Sequence, residues 1–247
     1  KKPLDRLGDE YVKEFIEIFL SREPKLKNKL NNKELKKRDI DLIVKNVRNE
    51  LNKSYGQFWL NNKLELGSHR STKERIKYYR GLFSILTTVF NELKPGYSKI
   101  KVLDLGSGLN PLTYKLMYNN YNTYFYALEL TKEDCDLIKK IFEIDNINGE
   151  VIQADLRTFR NFPKVDVCLM LKLLESIETK GHVLAEELIK SIASKIILVS
   201  FSTTNVKGKR MNYPRRGWFE RMLIRLGLNY EKIEETNEIF YVVKKQQ

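Results

Sequence analysis

The stretch Val102-Leu103-Asp104-Leu105-Gly106-Ser107-Gly108-Leu109-Asn110-Pro111 decides the fold. The apolar run from Ile100 to Leu105 reads as a buried strand. Gly106 and Gly108 follow at once, so the backbone can turn tightly and approach a ligand with no Cβ in the way. Asn110 can then cap a helix, with Pro111 as its first residue. Strand, glycine turn and helix start describe the first crossover of a doubly wound α/β sheet. Ligands of such sheets sit outside the carboxyl ends of the strands. The turn is D-x-G-x-G: it lacks the third glycine of the dinucleotide fingerprint G-x-G-x-x-G, and no G-K-[ST] follows to make a Walker loop.

The same pattern continues downstream. Tyr124 to Leu128, Val151 to Ala154, Val165 to Leu171 and Ile196 to Phe201 read as further strands. The stretch ending at Leu171 is apolar throughout, as a central parallel strand should be. Helices are predicted from Pro111 to about Asn119 and over 131–145, 182–193 and 213–226, the last stopped by Gly227. Two final strands, 228–235 and 238–244, can form a hairpin at the sheet edge. Upstream, Ser71 is expected to cap a helix running to about Leu93, with Glu74 completing a capping box. Residues 4–20 and 33–53 carry helical spacing, while 21–32, rich in lysine and asparagine around Pro24, read as a loop. The expected organisation is a basic helical accessory domain over 1–65, followed by an α/β domain over 66–247.

Composition narrows the class. The chain has 247 residues, 42% of them hydrophobic, which suffices for a sizeable core. No apolar run approaches the roughly 18 residues of a membrane span. The opening residues carry no signal-peptide pattern. Cys135 and Cys168 fall in a predicted helix and a predicted buried strand, and with two histidines they make no zinc pattern. A cytoplasmic protein without a metal site is expected. The net charge of +13 is unevenly placed: residues 25–53 carry ten Lys/Arg against four acids, and residues 205–225 carry seven against one. A polyanionic partner explains such a distribution; a generally lysine-rich soluble surface is the alternative.

Several side chains fall where a doubly wound sheet binds its ligand. Glu129 ends the second strand, where an acid can accept hydrogen bonds from a ribose diol or cap the helix that follows. Asp155 ends the third, where a carboxylate can reach an adenine amino group while Leu156 packs on the ring. Lys172 stands at the mouth of the site after Leu171, as a functional cation or as a salt-bridge partner. Arg75 would lie in or near the first turn of its helix, a poor place for a cation on helix-dipole grounds; an anionic partner such as a ligand carboxylate would explain it. His69 reads as a surface or capping residue.

The D-L-G-S-G turn is similar to motif I of class I S-adenosylmethionine methyltransferases, whose seven-stranded sheet the strand pattern also matches. Further pieces narrow the resemblance. H-R-S-T-K-E-R at 69–75 lies about thirty residues ahead of D-L-G-S-G-L-N-P-L at 104–112. Then come Q-A-D-L at 153–156, L-K-L-L-E at 171–175 and V-S-F-S-T at 199–203, followed by a glycine-containing basic loop. Together these resemble the aminoglycoside-resistance methyltransferases that modify guanine N7 in small-subunit ribosomal RNA. An archaeal or housekeeping relative would carry the same pieces. The resemblance implies S-adenosylmethionine as cofactor, with Arg75 on its carboxylate, Gly106 under its methionine part, Glu129 on the ribose, Asp155 and Leu156 on the adenine, and Leu171 as a further cofactor contact. Lys172 would lie beside the methionine end or the target base. Lys207, Lys209 and Arg210 would touch RNA, and Tyr213, Arg215 and Arg216 in the same basic stretch are further candidates. Ser107 stands where the family often has cysteine, Glu175 where it often has proline after L-K-L-L, and Ser202 where proline usually follows V-S-F.

The chemistry fits that target. Guanine N7 carries a lone pair and no proton, so positioning and electrostatics can suffice without a general base. Cytosine C5 transfer would need a nucleophilic cysteine in a suitable motif. Exocyclic-amine enzymes often carry N/D-P-P-Y/F where Leu171-Lys172-Leu173-Leu174 stands. In helical RNA the groove holding N7 is deep and narrow, so the base must be flipped or the helix distorted. Tyr213 or Trp218 could stack on RNA, or Trp218 and Phe219 could belong to the helix core. The expected partner is structured RNA, small ribosomal subunit first and transfer RNA second, bound by a monomer. A non-catalytic RNA-binding factor on the same fold is the alternative from another class.

Overall fold

The structure, a computed structural model, describes residues 3–61, 65–93, 99–115, 121–178, 181–204 and 209–245. The chain divides into two compact units, Lys1–Leu60 and Asn61–Gln247.

The first unit is helical. A 3-10 turn over Pro3–Arg6 leads to α1 (Asp9–Arg22), α2 (Pro24–Asn31) and α3 (Lys37–Ser54), then a 3-10 turn over Gly56–Phe58. The loop expected around Pro24 is a helix instead. Pro24 occupies its first position, where the missing N–H costs nothing and the fixed φ favours the turn. Asp39 accepts the Lys36 amide at 3.1 Å and Lys29 Nζ at 3.1 and 3.2 Å, so one carboxylate joins the end of α2 to the start of α3. Arg6 lies over the Trp59 ring, 4.5 Å from its centroid.

The second unit is built on a seven-stranded sheet: β1 (Ile100–Leu105), β2 (Thr123–Glu129), β3 (Gly149–Gln153), β4 (Val167–Leu171), β5 (Ile196–Ser202), β6 (Asn229–Glu234) and β7 (Glu238–Lys244). Their order is β3-β2-β1-β4-β5-β7-β6. The first five strands run parallel, and β7 pairs antiparallel with both β5 and β6. Alternate residues of the inner strands serve two buried faces, which is why β4 and β5 are so continuously apolar. On one face, α5 (Tyr79–Leu93) and α6 (Lys132–Asp145) place Leu82, Leu86, Phe90, Ile138 and Phe142 against Val102, Phe125, Leu169 and Leu198. On the other, α8 (Val183–Ser191) and α9 (Gly217–Arg225) place Leu188, Ile189, Phe219 and Leu223 against Leu103, Cys168, Met170 and Tyr241. A one-turn α7 (Leu174–Ile177) follows β4.

Three predicted helices differ from what their sequences suggest. The run expected from Ser71 to Leu93 is broken into α4 (Arg70–Arg75), a 3-10 turn (Ile76–Tyr78) and α5. The Asn237 side-chain amide donates to Glu74 O at 3.0 Å, taking a carbonyl that a continuous helix would use internally. Ser71 is inside α4; His69 occupies its N-cap position and makes no side-chain capping bond. After β1 the backbone forms a 3-10 turn over Asn110–Thr113, and residues 116–120 of the helix expected there lie outside the described residues. The helix expected from 213 begins only at Gly217. Cys135 and Cys168 are free and buried. Among the described residues no helix is long and apolar enough to cross a membrane.

Candidate active site

Because β1 to β5 are parallel, Leu105, Glu129, Gln153, Leu171 and Ser202 all end at one edge of the sheet. The glycine turn sits there. Gly106 and Gly108 have φ of +61° and +54°, a region open to glycine and costly for other residues. A Cβ on Gly106 would stand 2.8 Å from Leu173 Cδ1, and one on Gly108 would stand 2.7 Å from His69 Cε1. The turn is tied to the neighbouring strand. Gly106 N donates to Leu128 O at 3.0 Å, and Gly108 N donates to Glu129 Oε1 at 2.6 Å. Glu129 Oε2 accepts the Leu130 amide at 3.1 Å. Thr131 itself caps α6, accepting from Asp134 N at 3.2 Å, so Glu129 is not the helix cap. Burial, and then the nearby Asp134 carboxylate, push the Glu129 carboxyl well above its usual range.

Asp104 lies beneath the turn, 1% exposed. Its Oδ2 accepts Tyr114 Oη at 2.6 Å and Asn110 Nδ2 at 3.3 Å. Burial pushes its carboxyl up to about 6, against the opposing pull of those hydrogen bonds. Asp104 Oδ1 and Ser107 Oγ are buried without a hydrogen-bond partner among the described residues. Buried polar atoms left unpaired are costly, so the turn carries hydrogen-bonding capacity that its own side chains do not satisfy.

A cluster of charge adjoins the turn. Arg75, 1% exposed, donates Nε to Glu238 Oε2 at 3.1 Å, Nη2 to Glu238 Oε1 at 3.3 Å, and Nη1 to Asn110 Oδ1 at 2.7 Å. Glu238 Oε1 also accepts the Ser200 hydroxyl. Lys172 Nζ stands 3.0 Å from Glu74 Oε2 and 3.6 Å from Glu238 Oε2. Burial alone would raise the Glu238 carboxyl; the charges of Arg75 and Lys172 outweigh it and hold that carboxyl below its usual range. Lys172 has φ +56°, uncommon for a residue with a side chain, and its amide donates to both Ser200 O and Ser200 Oγ at 3.1 Å. Strain of this kind gathers at functional sites.

The remaining predicted residues divide. Leu156 and Leu171 are buried in the two cores. Asp155 is held by Arg157, which donates its amide and Nε to Oδ1 at 3.0 Å each and Nη2 to Oδ2 at 2.6 Å. Arg210 and Lys209 are exposed, and Tyr213 is 88% exposed. Lys207 lies outside the described residues. Arg215 is exposed but donates to Glu220 at 2.8 and 2.9 Å. Arg216, expected at an RNA surface, is buried. It donates to both Glu175 oxygens at 2.7 and 3.1 Å and to the carbonyls of Pro214 and Ser202. Trp218 stacks on His182 with centroids 3.8 Å apart and also meets Phe201 and Phe219.

Sequence reasoning misses Glu238, Ser200 and Asn110 as site residues, and leaves His69 outside. The His69 ring is buried against Gly108, with Nδ1 3.0 Å from Ser71 Oγ, and its pKa is lowered to about 3 by burial and by Arg75.

Residues 61–242 match the family model described as "Ribosomal RNA methyltransferase (FmrO)". The chain is 26% identical over 180 residues to a 16S rRNA (guanine(1405)-N(7))-methyltransferase of Frankia casuarinae, covering 72% of this chain and 61% of that one. It is 28% identical over 185 residues to the protein of the same name from Micromonospora rosea, covering 72% and 63%. The chain therefore spans about three fifths of the length of these curated relatives. Its fold is that of the 16S rRNA methyltransferase RmtF solved with S-adenosyl-L-homocysteine, at a TM-score of 0.76 and 20% identity over 100% of this chain and 94% of that one.

Proposed function

The chain belongs to the ribosomal RNA methyltransferase (FmrO) family, and we propose that it uses S-adenosylmethionine to methylate guanine N7 in RNA of the small ribosomal subunit. One observation carries this reading: the glycine turn is fastened on both sides by the residues a methyl donor would need. Gly108 is bonded to Glu129, and Asn110 of the same turn is bonded to Arg75. The two curated relatives bear names with the same reaction.

The residues fit the donor. Its carboxylate suits Arg75, its methionine part the backbone of Gly106 to Gly108, and its ribose diol Glu129. The orphaned Asp104 Oδ1 and Ser107 Oγ offer acceptors to polar groups or ordered water beside the turn. Leu156 borders the adenine end beside Asp155, whose carboxylate Arg157 holds in place, and Leu171 is a further contact for the donor. When bound, the cofactor supplies a methyl carbon on a positively charged sulfur.

Guanine N7 carries a lone pair and no proton, so methyl transfer to it would release no proton and would require no side chain to act as base. The positive charge passes to the base, and the task of the protein is alignment in a site of fixed charges. Lys172, held by Glu74 and Glu238, orients the base side of the site without adding an unbalanced charge.

RNA docking falls to the exposed Lys209, Arg210 and Tyr213, with Lys207 and Arg215 as neighbours in sequence, and to the basic helical unit 1–60. Arg216 is left out, since its guanidinium is committed internally. The working state is a cytoplasmic monomer, and transfer RNA is the second candidate substrate. The test is methyl transfer from labelled donor to purified small subunits, large subunits and bulk transfer RNA in parallel. Label in the small subunit is expected. Label in transfer RNA alone would replace the substrate, and binding of RNA and donor without transfer would favour a non-catalytic factor.

A further inference from the structure

We propose that Glu238 is a positioning residue for the methionine end of the methyl donor, acting through Arg75. This role rests on the cofactor reading above.

Topology brings Glu238 to the site. β7 runs against the parallel strands, so its first residue, not its last, lies at their carboxyl edge, and the register pairs Glu238 with Ser202 at the end of β5. The turn before it is anchored there. Asn237 reaches Glu74 O at 3.0 Å, Thr203 N donates to Asn237 O at 3.0 Å, and Thr203 Oγ1 donates to Thr236 O at 3.1 Å. The carboxylate that results is 1% exposed and surrounded by donors. A buried acid at the end of an otherwise apolar strand is costly unless it is paired, and here it meets two cations contributed by α4 and by the residue after β4.

The geometry of the pair assigns the role. An arginine has five N–H groups in a planar fork. Glu238 takes the Nε and Nη2 edge, and Asn110 takes one N–H of Nη1. The two N–H groups outside these three bonds lie one on each terminal nitrogen. Glu238 thereby sets the plane of the guanidinium and the direction in which those N–H groups point. Its charge offsets one of two neighbouring buried cations. With Glu74 opposite Lys172, the cluster of Arg75, Lys172, Glu74 and Glu238 is balanced. A zwitterionic methionine end then enters a site of fixed direction and no net charge.

The test uses the full chain and two ligands, measured by calorimetry. S-Adenosylhomocysteine carries the amino-acid tail, and 5′-methylthioadenosine lacks it. Glu238→Gln keeps the size of the side chain but loses the charge and one acceptor. It is expected to weaken S-adenosylhomocysteine about tenfold, the scale of one charge-assisted hydrogen bond, and to leave methylthioadenosine within about twofold. In an Arg75→Gln background the same change should have no further effect on S-adenosylhomocysteine, because the group it acts through is gone. Unchanged S-adenosylhomocysteine affinity, equal loss for both ligands, or full additivity with Arg75→Gln would overturn the role. A wild-type protein that binds neither ligand would overturn the cofactor reading itself.

Discussion

The amide of Gly108 donates to the Glu129 carboxylate at 2.6 Å, joining the turn after β1 to the end of β2. The glycine is required there twice over, by its φ of +54° and by the His69 ring packed where a Cβ would stand. Gly108→Ala should cost about 2 kcal/mol of stability, since the left-handed conformation alone costs roughly 1–2 kcal/mol for a residue with a side chain. It should also weaken S-adenosylhomocysteine by at least about tenfold through displacement of the turn. Thermal unfolding and calorimetry on the same samples measure both.

Glu129 makes donor binding depend on pH. A ribose diol donates best to the ionised carboxylate, and burial with Asp134 nearby raises the pH at which Glu129 ionises. Affinity for S-adenosylhomocysteine should therefore rise with pH as Glu129 loses its proton, and Glu129→Gln should bind more weakly with that rise removed. Parallel titrations from mildly acidic to mildly alkaline pH give the comparison.

His69 makes the fold sensitive to acid. Its imidazole titrates near 6.5 in the unfolded chain and at about 3 in the folded one. Between those values the unfolded state holds the proton and the native state does not, so stability rises with pH across the window. The stabilisation relative to acid is complete above 6.5 and is lost as pH falls toward 3. The slope from this one group is at most about 1.4 kcal/mol per pH unit. His69→Gln should lose less stability than wild type between about pH 6.5 and 4.5, as read by denaturant unfolding at each pH.

Two arginines that are neighbours in composition should behave differently. Arg216→Ala should destabilise by about 2 kcal/mol, because it removes a buried guanidinium from Glu175 and from two carbonyls. The salt dependence of RNA binding should stay as it was. The double change Lys209→Ala, Arg210→Ala should leave stability within about 0.5 kcal/mol. It should lower the salt slope by about one unit for each phosphate that is no longer neutralised. Binding titrations at several salt concentrations separate the two.

Much of this fold is legible in the chain itself. β1 matches its apolar run residue for residue, and the other parallel strands fall within a few positions, because strands buried on both faces leave continuous apolar runs. The Gly106–Gly108 turn is legible because it breaks such a run abruptly. What escapes depends on distant pairing. Nothing local to Glu238 marks it as more than an acid in a hairpin, since Arg75 is 163 positions away in sequence. Arg216 reads as surface because it sits among basic residues, yet Glu175 and two carbonyls draw it inside. The continuous helix expected from Ser71 fails for a related reason: Asn237, from the far end of the chain, takes the carbonyl of Glu74. Pro24 reads as a breaker, although the same residue is at home in a first helical turn.

The most direct measurement is the identity of the methylated nucleoside. Small ribosomal subunits would be treated with the protein and S-adenosylmethionine, and their RNA digested and analysed by mass spectrometry. The expected product is 7-methylguanosine, lost when Arg75 or Glu129 is replaced. A different methylated nucleoside, or 7-methylguanosine undiminished by those replacements, would contradict the assignment of this site to guanine N7.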